Sequence, residues 1–76
     1  MIVTRTMLHD AHLEAVTTAV TSSRTDLEFQ AERLYASVAP DTDDAALLAA
    51  VRGLQALTTQ AEAAGRALTA KELRRG

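Results

Sequence analysis

Val38-Ala39-Pro40-Asp41-Thr42-Asp43-Asp44 is the stretch on which the fold turns. A proline pushes the residue before it out of the helical region, so a helix arriving from the N-terminal side ends near Val38. Behind the proline, Asp41 or Thr42 offers a side-chain oxygen to cap a new helix. Asp43 and Asp44 then sit in its first turn, facing the positive end of its dipole. The segment predicts a reversal over residues 39–42 between two antiparallel helices.

Downstream, Leu47, Val51, Leu54, Ala61 and Leu68 recur at helical spacing, with Leu48 and Leu57 beside them. They predict a second helix over residues 43–68, about 39 Å long at 1.5 Å per residue. Gly65 is a weak point where that helix bends or ends. Thr69 to Glu72 has capping-box spacing, and residues 69–76 read as a basic tail. Upstream, Leu13, Val16, Val20, Leu27, Ala31, Leu34 and Val38 mark a first helix over residues 10–38. Thr21 to Thr25 has modest helix propensity, and Thr25-Asp26-Leu27-Glu28 has the spacing of a helix start, so a break near Ser23 competes with one continuous helix. The continuous helix is the expectation, because no glycine or proline interrupts it. Residues 1–9 read as an N-terminal arm with a β-prone Ile2-Val3-Thr4.

The chain has 76 residues, 47% of them hydrophobic, but 16 of the apolar residues are alanine. A domain of this size buries a modest share of its surface and usually leans on neat helix packing or on association. The expected fold is all-α: one small helical domain, a two-helix antiparallel hairpin that completes a four-helix bundle by oligomerisation. The expected packing stripe and interface comprise Leu13, Val16, Val20, Leu27, Phe29, Leu34 and Tyr35 from the first helix. Leu47, Leu48, Val51, Leu54, Leu57 and Leu68 complete it from the second.

Ten acids against eight bases give no electrostatic argument for nucleic acid or an anionic membrane as partner. Without cysteine there are no disulfides and no thiolate metal sites. No run of residues is apolar and long enough to span a bilayer, and Met1 to Leu8 lacks a signal-peptide core, so the default expectation is a soluble, cytoplasmic protein. His9 and His12 stand three apart and share a helix face, yet a zinc site needs further ligands that no second cluster supplies. They read as solvated residues of the first turn. The carboxylates lack the pattern of a di-metal bundle or a calcium loop, and no nucleophile motif occurs. The expected function is therefore non-enzymatic and without a cofactor: an interaction or assembly module, either a homo-oligomer or a subunit of a larger complex.

Ser23-Arg24-Thr25-Asp26-Leu27 resembles the stretch that opens the second helix of ribbon–helix–helix DNA-binding proteins. Leu13, Val16 and Val20 fall where that family's first helix has its core. The resemblance covers under half the chain. It implies an alternative function as a dimeric DNA-binding regulator or antitoxin, with Ile2 to Leu8 as a ribbon, Thr4, Arg5 and Thr6 toward bases, and the amides of Thr25 and Asp26 toward phosphate. The register departs from the family's pattern by placing Thr21 where a glycine usually closes the first helix and by turning Arg5 inward. The first half also carries three arginines against five acids, the wrong balance for phosphate contact. The secreted helical hairpins with a Trp-x-Gly turn are a further comparison, but this chain has no tryptophan.

Overall fold

In the computed structural model, which describes the backbone of residues 2–75 and the side chains of residues 2–68, Thr4 starts the first helix. Its backbone is extended (φ −119°, ψ 161°), and its hydroxyl accepts a hydrogen bond from the Met7 amide at 3.2 Å. This is N-cap geometry, in which a short oxygen-bearing side chain satisfies an amide that the helix leaves over. Helix α1 therefore runs Arg5–Thr21, beginning five residues before the expected start. The arm shrinks to residues 2–4, of which Val3 is buried in the core. The ribbon that the DNA-binding resemblance implies over Ile2 to Leu8 is not formed either, because Arg5 to Leu8 are helical.

The long first helix expected over residues 10–38 is two helices: α1 stops at Thr21 and α2 covers Thr25–Ala36. Ser23 makes the break by adopting a left-handed conformation, φ 58°. Around it the Ser23 amide donates to Val20 O at 3.1 Å and the Arg24 amide to Ala19 O at 2.8 Å. These two bonds form a Schellman motif, which satisfies carbonyls at the helix end and usually has glycine in the left-handed position. Serine in that conformation costs roughly 1–2 kcal/mol. The compensation is tertiary: the reversal folds α2 back on α1 and buries Leu27 and Ala31.

The second reversal follows its local chemistry closely. The Thr42 amide donates to Ala39 O at 3.2 Å, closing a four-residue turn with Pro40 in the second position, where its fixed φ suits the turn. Helix α3 then spans Asp44–Arg75. Its cap is Asp43, not Asp41 or Thr42: Asp43 Oδ1 accepts from the Ala46 amide at 2.8 Å. α3 passes through Gly65 and through residues 69–75, which were expected to form a tail. Gly65 has a packing reason, since a Cβ there would lie 2.9 Å from Ser22 Oγ.

The side-chain meetings set the topology. Arg5 Nη2 donates to Ala39 O at 2.9 Å, His12 meets Glu32, Leu34 lies against Gly53 and Ser22 against Gly65. α2 therefore runs antiparallel to both α1 and α3, in an up–down–up array of three helices where two were expected. No strand occurs among the described residues. The core is lined by Leu8, Ala11, Ala15 and Ala19 of α1, and by Leu27 and Ala31 of α2. From α3 come Leu47, Ala50, Val51, Leu54, Leu57 and Ala61. The long axis of 51 Å is set by α3, whose 32 residues span about 48 Å. Because Ser22 of the α1–α2 turn meets Gly65, the ten residues from Arg66 to Arg75 carry α3 about 15 Å beyond the other two helices.

Candidate functional site

Two features on the α1–α2 hairpin stand out, one in its seam and one on its outward side. In the seam, the His12 and Tyr35 rings stack with centroids 4.1 Å apart and planes 15° from parallel. The His9 ring lies 6.3 Å from the same tyrosine in a tilted arrangement. His12 sits one turn from Leu8 and Ala15 on the flank of α1 that faces α2, and its side chain is 12% exposed. Neither ring nitrogen has a hydrogen-bond partner, although Nε2 lies 3.4 Å from Glu32 Oε1. That separation is within reach of an ion pair but long for an N–H···O bond. A buried nitrogen left in this state costs about 1–3 kcal/mol, which the ring stack partly offsets. His12 is thus not the solvated residue the sequence suggested, whereas His9 is exposed. Among the described residues no three His, Asp, Glu or Cys side chains come together as a metal site. The seam is a packed junction with a polar flaw.

The outward side of the hairpin carries the large apolar side chains that the core does not use. Leu13 is 49%, Val20 57% and Phe29 62% exposed. Leu13 and Val20 are two turns apart on one face of α1, away from the buried Ala11, Ala15 and Ala19. Phe29 points opposite to Leu27 on α2. The pairing of His12 with Glu32 and Tyr35 fixes the antiparallel register and places Phe29 level with Val16, between Leu13 and Val20. Leu13 and Val20 on α1 and Phe29 on α2 are therefore exposed at one level of the hairpin, with half-buried Val16 and Glu28 and exposed Glu32 along the seam between them.

The sequence-derived stripe divides accordingly. Leu27, Leu47, Val51, Leu54 and Leu57 are buried, while Val16, Leu34, Tyr35 and Leu48 are half-buried against the core. Leu13, Val20, Phe29 and Leu68 are exposed, so within one chain they are not packing residues. The residues that do pack in α1 are the alanines at positions 11, 15 and 19. Their four-residue spacing was visible in the sequence, but size favoured the Leu13–Val20 stripe.

One ion pair is well formed. Arg24 Nε and Nη2 donate to the two carboxylate oxygens of Asp26 at 2.8 and 2.7 Å. That hydrogen bonding, aided by the guanidinium charge, holds the Asp26 carboxyl down at about 2 and raises Arg24. The pair braces the start of α2, and its exposure to solvent leaves it little stabilising weight. No described helix is long and apolar enough to cross a membrane. Comparison with known proteins finds no family model, no curated relative and no solved structure that matches this chain.

Proposed function

We propose that this chain is a non-enzymatic helical interaction and assembly module that works by presenting the outward side of its α1–α2 hairpin. The observation that carries the reading is the exposure of Leu13, Val20 and Phe29 at one level of that hairpin. A single apolar residue is ordinary on a surface, whereas several large ones exposed on one side of a small domain suit a protein contact. An exposed aromatic among them suits the role of anchor. The reading also accounts for the distribution of size: beyond Leu8, α1 gives the core only alanines, and its larger Leu13 and Val20 are held outside.

Sedimentation equilibrium of the full chain at micromolar concentration, with pull-down from native lysate, tests it. Phe29→Asp is expected to abolish association while leaving the helicity and thermal midpoint of the monomer unchanged, since the side chain is outside the core. A wild-type chain that stays monomeric and captures nothing would end this reading. The DNA-binding alternative has one structural point in its favour, the break between α1 and α2 at Ser22 to Arg24. It requires Arg5 to Leu8 to leave α1 and pair as a strand with a second chain. A gel shift at low salt with native promoter DNA decides it, and no specific shift is expected.

A further inference from the structure

Leu68 continues the buried stripe of α3. It follows Leu54, Leu57 and Ala61 at helical spacing, on the side of the helix that faces α1 and α2 lower down. Above Gly65 those helices have ended, and Leu68 is 41% exposed. Leu68 thus holds a core-register position on α3 at a level where neither α1 nor α2 lies alongside it. The geometry points to a second copy of this chain as its occupant: the end of α3 of one protomer lies on the Leu13–Val20–Phe29 patch of the other, reciprocally, in a closed two-fold dimer. This rests on the proposed function and names the partner of that patch.

Three arguments agree on this occupant. Length is the first. Arg66 to Arg75 reaches about 15 Å past the α1–α2 turn, and Leu13, the far member of the patch, lies about 14 Å below that turn along α1. Charge is the second. Residues 66–75 hold four bases against one acid, whereas α1 and α2 together hold three arginines against five acids, including Glu28 and Glu32 beside the patch. Opposite potentials of this kind steer and orient association. Symmetry is the third. If two protomers lie antiparallel with their protruding ends overlapping, the inward side of each protrusion faces the outward side of the other hairpin. Both patches are then covered by one two-fold operation, which closes the assembly at two copies.

The test is sedimentation equilibrium of the full-length protein at micromolar concentration in low and high salt, with Leu68→Asp and Phe29→Asp alongside wild type. The expected result is a wild-type dimer whose dissociation constant rises with salt. Each substitution should raise that constant by about tenfold or more, with circular dichroism and thermal midpoint of the monomer unaltered because both side chains are outside the core. Leu68→Asp dimerising as tightly as wild type would overturn the inference. If Phe29→Asp alone abolished association, the patch would stand as an interface and the α3 protrusion would fall as its occupant. A wild-type monomer that captures another protein through Phe29 likewise removes the dimer and keeps the patch. Trimers or higher oligomers would overturn the closed two-fold arrangement.

Discussion

α1 and α3 fill the same core in opposite ways. α3 turns Leu47, Val51, Leu54 and Leu57 inward along with Ala50 and Ala61, while α1, after Leu8 near its start, turns only Ala11, Ala15 and Ala19 inward and keeps Leu13 and Val20 outside. The contrast is one of volume. Two helices approach closely only where one of them is lined with small residues, and the larger side chains of the other then fill the space at native density. A seam of alanines gains little from burying its own surface. Its contribution is the close approach that lets Leu54 lose all contact with water. Hydrophobicity by itself therefore does not choose the inner face of α1; fit does.

Substitution of Leu54 by Asp is the severest way to break this arrangement. An unpaired charge at a fully buried position should cost on the order of 4 kcal/mol or more, enough to unfold a small domain. The chain should then lose its helical signal at 222 nm, while Leu68→Asp, on the same stripe but exposed, should keep it.

The two faces of α1 are separated by a pair of changes. Ala15→Leu adds volume to a close-packed seam and should destabilise by about 1–3 kcal/mol in urea unfolding. Leu13→Ala should shift monomer stability by less than about 0.5 kcal/mol. Equal costs would mean that the faces had been assigned the wrong way round.

The two reversals are sharpened by smaller effects. Asp43→Ala removes the cap of α3 and should cost about 1 kcal/mol, with Asp41→Ala and Thr42→Ala near neutral. Ser23→Gly relieves a left-handed serine and should raise the thermal midpoint, by an amount corresponding to about 1 kcal/mol or less. A fall in the midpoint would mean that Ser23 contributes more than its backbone.

The least effect is electrostatic. Asp26 is held at about 2 in the folded chain against 3.8 ordinarily, so its pairing with Arg24 favours the folded state above pH 3.8 and is lost as pH falls toward 2. Comparing wild type with Asp26→Asn across that window should show a small, salt-sensitive difference that vanishes at its acid end.

Local chemistry made part of this fold legible in the sequence alone. Pro40 forces its turn through a fixed φ and a missing amide, and the carboxylates after it cap α3 whatever lies beyond them. The stripe from Leu47 to Leu57 holds its meaning because α3 has a single face rich in leucine and valine. The break at Ser23 was legible only as a weak stretch, because nothing in serine demands a left-handed conformation; the burial of Leu27 and Ala31 against α1 and α3 selects it. Likewise α1 offers two plausible inner faces, and the apolar content of each is a local property that does not decide between them. Tertiary structure decided, since only the alanine face lets α1 come close enough to its neighbours for the leucines of α3 to be buried between them.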